Sequence, residues 1–172
     1  MQSKKRTPAS VIALGGVLAA LAVVIMAMGT LIPVATYVCP VLCCMLLQTV
    51  LTLCGRRIAW AWYGAVAILC ALLAPDKEAA AVFVFVGYYP IVKPLLDKSN
   101  VSWLWKGLLF NAAIFVMYVL LINLLGMGDI ASEYREMGTI MTAVTLVLGN
   151  AVFFLLDRLL GMKVRQNRPG RK

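Results

Sequence analysis

The sequence predicts an all-α membrane protein, a six-transmembrane-helix bundle with both the N and C termini cytoplasmic and no soluble domain. Three observations predict it. Hydrophobic residues make up 63% of the 172 residues and charged ones 13%, with a mean hydropathy of +0.92, a balance that cannot clothe a water-soluble globule in polar groups. Uncharged apolar runs of membrane-crossing length alternate with short polar stretches. Threaded as six spans, every lysine and arginine except Lys77 and Arg135 falls on one side, as expected when cytoplasmic loops retain basic residues and translocated loops shed them. Residues 1–172 are therefore expected to form a single integral membrane domain, multi-pass in a cell membrane, with its orientation set by this charge rule.

The first span covers about residues 9–31, after the basic patch Lys4-Lys5-Arg6. A secretory signal peptide also begins on a basic patch, but its apolar core is only about 7–15 residues long. The second span covers about 36–54 and stops at Gly55-Arg56-Arg57. Two shorter apolar stretches follow, about 58–73 and 79–92, separated by Asp76-Lys77-Glu78. Merging them into one helix would bury three ionisable groups and expel the basic tail, so two spans are expected. The second stretch is short, which implies local thinning, snorkelling at Lys93, or a helix broken near Tyr88-Tyr89-Pro90.

A connector from Leu95 to Trp105 leads to the fifth span, about 107–125. All four tryptophans, Trp60, Trp62, Trp103 and Trp105, then fall at the cytoplasmic interface, where amphipathic indoles accumulate. A polar loop over 129–137 precedes the sixth span, about 138–156. Residues 161–172 form a basic cytoplasmic tail, expected to be disordered from Lys163 and suited to anionic membrane lipid. No internal repeat is evident.

The net charge of +9 belongs to these loops and the tail, so topology and lipid headgroups explain it without nucleic acid. Histidine is absent, which removes the commonest general base and metal ligand. No nucleophile and base, paired acids or metal cluster shares a depth, so no enzyme, cofactor or metal site is expected. The five cysteines lack zinc-site or disulfide-framework spacing. Cys39 and Cys43 share a helical face, which leaves open a soft-metal site or a Cys39–Cys70 disulfide beside their reading as apolar fillers.

The outer half offers Thr30, Tyr37, Asp76, Glu78, Asn123, Asp129, Glu133, Tyr134, Arg135, Thr139 and Thr142. Of these, Tyr37, Asp76, Glu78, Asn123, Asp129, Glu133, Arg135, Thr139 and Thr142 are the substrate-binding candidates, because pockets need a few polar groups converging among apolar walls. The excess of carboxylates favours a cationic or amine-bearing ligand, with Arg135 available for one anionic group. Deeper lie Gln48, Tyr63, Asn111 and Asn150. The last two occupy adjacent spans at similar depth and can hydrogen-bond to each other. Asp157 can pair with Arg158 or a neighbouring basic loop.

In the first span, Ala9 and Ala13 share a face, as do Gly16 and Ala20, so another helix could approach that stripe closely in lipid. It serves either packing within the bundle or docking of a partner. Six short helices, both ends cytoplasmic, about 170 residues and the Ala9-xxx-Ala13 opening together resemble the substrate-binding S components of energy-coupling factor transporters. The resemblance implies a substrate-capture subunit for an unknown vitamin-like micronutrient, with a transmembrane T subunit and two ABC-type ATPases as partners. It also implies docking through Ala9 and Ala13 and a pocket opening outward. The absence of histidine argues against a nickel or cobalt substrate. The alternative is a structural or accessory multi-pass membrane protein with no solute ligand.

Overall fold

The computed structural model describes residues 8–29, 35–98, 101–123 and 128–166, with side chains described except at 8, 35, 128–142 and 163–166. These residues form helices joined by turns, with no strand among them. In chain order the helices are α1 (Pro8–Met28), α2 (Ala35–Cys54), α3 (Arg56–Leu73), α4 (Lys77–Val86), α5 (Tyr89–Leu96), α6 (Ser102–Asn123) and α7 (Gly128–Gln166). Six helical stretches are long and apolar enough to cross a membrane: Ala9–Met28, Thr36–Cys54, Arg56–Leu73, Lys77–Leu96, Ser102–Asn123 and Ala143–Met162. The chain divides into two compact units, Met1–Pro94 and Leu95–Lys172.

In the first unit, α1 packs on α2 and α3, and α2 and α3 pack on each other and on α4. Ala22, Met26, Cys43, Leu47, Val50, Ala59, Val66, Cys70, Ala79 and Phe83 form one buried cluster. Small residues let these backbones approach closely, as helices in lipid require. The Trp62 indole Nε1 donates to the Gly15 carbonyl at 3.0 Å, fastening α3 to α1. The turn between α2 and α3 is a single residue, Gly55, at φ 87°, a left-handed conformation that favours glycine.

The fourth apolar stretch is two helices rather than one. Pro90 has no N–H to give the Val86 carbonyl, and its ring crowds that carbonyl, so α4 stops at Val86 and α5 starts at Tyr89. Gly87 fills the bend. A Cβ there would collide with the Phe83 carbonyl and come within 2.8 Å of the Phe83 ring. The Tyr63 hydroxyl on α3 donates to the Val84 carbonyl, and the Cys44 thiol on α2 approaches the Gly87 carbonyl at 3.9 Å. Tyr63 also packs edge-on against Trp60 and Tyr88 and tilts against Phe83.

The second unit is built on α6 and α7, which run antiparallel. Moving up α6, Lys106 meets Asp157, Phe110 stacks on Phe153 with centroids 4.5 Å apart, and Asn111 meets Asn150. Met117, Leu121, Phe153, Leu156 and Leu160 are buried. The expected amide pair forms in both directions, at 2.9 and 3.1 Å, and each amide also donates to the carbonyl four residues earlier in its own helix.

Several boundaries differ from the expected ones. The polar segment 129–137, read as a loop, is the first quarter of the 39-residue α7. Glu, Arg, Met and Ala are good helix formers, so leaving the apolar layer does not oblige the helix to stop. The same helix carries Lys163 to Gln166, read as disordered tail. Among the residues with described side chains, the apolar part of α7 is Ala143–Met162. Trp103 and Trp105 sit in the first turn of α6 rather than in a connector.

Candidate functional site

The N-terminal ends of α2 and α4 meet, and this corner holds three of the candidate substrate-binding residues. The Thr36 hydroxyl on α2 donates to Asp76 Oδ2 at 2.8 Å, while Asp76 Oδ1 accepts from the Ala79 backbone N–H at 3.0 Å. Asp76 is thus the N-cap of α4, a carboxylate placed where a helix start leaves N–H groups unpaired and the dipole favours negative charge. Tyr37, next to Thr36, is exposed, and Glu78 is half-buried in the first turn of α4 and engaged in a contact. Lys77 reaches back to the carbonyls of Ala71 and Leu72 at 3.1 and 3.5 Å and so closes the C-terminal end of α3.

Asp76 therefore does structural work with both oxygens. A ligand at this corner would have to share that carboxylate or use Tyr37 and Glu78 instead. Asn123, another candidate, is exposed at the end of α6 and donates to the Val119 carbonyl of its own helix at 2.9 Å. The side chains of Asp129, Glu133, Arg135, Thr139 and Thr142 lie outside the described residues, as do Thr30 and the Tyr134 side chain.

The small-residue stripe of α1 has a clear position. Ala9, Ala13, Gly16 and Ala20 are all exposed, while Gly15, Ala22 and Met26 face the buried side. The bundle thus packs on one face of α1 and leaves the stripe uncovered. Large apolar side chains flank it, with Ile12, Val17 and Leu21 exposed as well.

Two polar arrangements were not singled out by sequence reasoning. Lys106, whose side chain is 7% exposed, lies between Asp97 in the turn after α5 and Asp157 on α7, bonding the latter at 3.2 Å. A buried ammonium needs such partners, because leaving it unpaired in an apolar setting costs several kcal/mol, on the order of about 3–5. A lysine early in an apolar span was the available signal. Thr36 was also overlooked, since nothing in the sequence shows that the starts of α2 and α4 adjoin.

The five cysteines are free thiols, and Cys43 directs its sulfur to the Ala22 carbonyl at 3.6 Å. Among the described residues, no group of three Cys, Asp or Glu side chains could hold a metal ion. Comparisons with protein-family models, with curated proteins and with solved structures give no match, so the functional reading rests on the chain's own residues.

Proposed function

We propose that this chain is a subunit of a larger membrane assembly, docked through α1. In that assembly it captures a vitamin-like small solute while a separate ATPase module supplies energy. The observation that carries the reading is the uncovered stripe Ala9, Ala13, Gly16 and Ala20. Small residues in a row let a second helix approach to backbone contact, where van der Waals packing drives association in lipid. A stripe turned inward would have answered only to packing within the bundle.

Both chain ends lie in the cytoplasm of a bacterial cell, because the basic residues then stay on the side that retains them. The T subunit and ATPases implied by the resemblance to S components are the partners this reading calls for. The solute enters from the opposite side, at the Tyr37, Asp76 and Glu78 corner, and carries positive charge or an amine to suit the carboxylates there.

The accessory role, with no solute, is favoured by one observation. Both oxygens of the Asp76 carboxylate are engaged by their own chain, and the Asn123 amide turns back to the Val119 carbonyl of its own helix.

Native mass spectrometry of the protein extracted in mild detergent tests both. Retained subunits lost on Ala13→Phe and Gly16→Leu, with the variants still folded, support docking through α1, and retained solute supports capture. Partners that survive both substitutions overturn the docking, and partners without solute leave the accessory role.

A further inference from the structure

The register of the first three helices brings a sulfur atom from each of them to one depth. Between α1 and α2, the Cys54 thiol lies 3.8 Å from the Val11 carbonyl and the Cys43 thiol 3.6 Å from the Ala22 carbonyl. Eleven residues separate the two contacts on either helix, so α1 and α2 run antiparallel in constant register. Four residues further along each, Met26 comes level with Cys39. Helix α3 is joined to α2 through Gly55 alone, and Cys39 precedes that turn by sixteen residues while Cys70 follows it by fifteen. With a rise of about 1.5 Å per residue, Cys70 sits at nearly the depth of Cys39.

Met26, Cys39 and Cys70 thus form one layer across three helices that pack on each other in pairs. All three are buried in the same cluster, as is Cys43, one turn deeper on the Cys39 face of α2. The Cys43 thiol interacts electrostatically with those of both Cys39 and Cys70, so the sulfurs of α2 and α3 are near one another. The remaining cysteines point elsewhere, Cys44 to the Gly87 carbonyl and Cys54 to Val11 at the other end of α2. A buried cysteine packs well as a small apolar side chain, and any of these alone would need no other account. Three thiols and a thioether gathered from three helices are a donor set of one chemical kind.

We propose that Met26, Cys39, Cys43 and Cys70 form an intramembrane binding site for a soft monovalent metal ion, copper(I) or silver(I). Thiol and thioether sulfurs select such ions over hard ones. Zinc is disfavoured, because its structural sites take four ligands and among the described residues no three Cys, Asp or Glu side chains are disposed to hold a metal. A soft monovalent ion accepts fewer ligands, and Met26 adds a thioether to the thiols. As the ion enters, one thiol releases its proton to water, so thiolate and ion together leave the core uncharged. The other sulfurs bind as neutral ligands.

Charge near the layer suits a cation. Cys39, the outermost thiol, interacts electrostatically with the Asp76 carboxylate. Lys77, the nearest lysine in the chain, is exposed and held by the Ala71 and Leu72 carbonyls at the end of α3, where a helix terminus answers positive charge. The site does not involve the exposed stripe of α1, and it requires neither docking there nor a solute at the Asp76 corner.

Native mass spectrometry of the full chain in mild detergent tests it, after reduction of the thiols and removal of the reductant. Silver(I) nitrate in chloride-free buffer is the probe, with free methionine as competitor. The expected result is one ion per chain that resists the competitor, with one proton released per ion in a weakly buffered titration. Met26→Leu conserves the core volume but lacks the thioether, and it should weaken retention by roughly tenfold or more. Cys70→Ala should do the same, and Cys54→Ala should leave retention unchanged. Either of the first two that folds, as judged by tryptophan fluorescence, decides the matter. Silver held equally well by folded Met26→Leu or Cys70→Ala, or lost with Cys54→Ala, would mean reaction with separate thiols and would overturn the proposal. So would a chain that retains no ion against methionine.

Discussion

Asn111 and Asn150 hold each other across α6 and α7 through two reciprocal amide hydrogen bonds, and each is anchored to its own helix by a third. Every proton of the two amides is used. Replacing Asn150 with leucine strands one donor and one acceptor of Asn111 in an apolar interface. Interhelical hydrogen bonds in membranes are worth about 0.6 kcal/mol on average and up to about 1.7. Asn111→Leu and Asn150→Leu should each destabilise by about 1 kcal/mol, and the double variant by less than their sum. Equilibrium unfolding in mixed micelles checks this, and strict additivity would mean that the amides act separately.

Lys106 is the more consequential polar residue of α6. Lys106→Met removes the ammonium that joins Asp97 and Asp157, for a loss of about 3 kcal/mol. Asp97→Asn should cost under about 1 kcal/mol, because Asp97 is 44% exposed and Asp157 remains. Thermal unfolding of the two variants should keep that order.

Asp76 separates a structural role from a ligand-binding one. Asp76→Ala removes the α4 N-cap and the bond from Thr36, and should cost about 1–2 kcal/mol. Asp76→Asn keeps an acceptor for Ala79 and should fold nearly as well. If Asp76→Asn nevertheless loses a bound cationic solute in native mass spectrometry, the carboxylate charge serves binding as well as capping.

Gly87→Ala forces a methyl group into the Phe83 backbone and ring. A loss of about 1–3 kcal/mol is expected, as for other overpacked interiors. Gly87→Ala combined with Phe83→Ala should recover part of it, which a double-mutant cycle measures. Without such recovery, the turn conformation rather than the collision would be the constraint.

The parts of this protein that the sequence made legible are those where one residue type has one physical reason. Hydropathy located six spans, because apolar length has no other use on this scale. A break near Tyr88-Tyr89-Pro90 was one of three readings of the short fourth span, and it is the one the helices show, because a proline cannot donate. Asn111 and Asn150 were matched by depth alone, since amides in an apolar layer have few other options. The start of α7 was misread because Glu133, Arg135 and Glu136 report where the apolar layer ends, not where the helix does. The contacts Thr36–Asp76 and Lys106–Asp157 depend on which helix ends adjoin and in what register, and no single segment contains that information.

The 39 residues of α7 measure about 58 Å end to end, against an apolar layer of about 30 Å. Nearly half of the rod therefore reaches past the oily part of its surroundings. With no proline from Gly128 to Gln166, this helix lacks the kind of interruption that Pro90 puts into the fourth span.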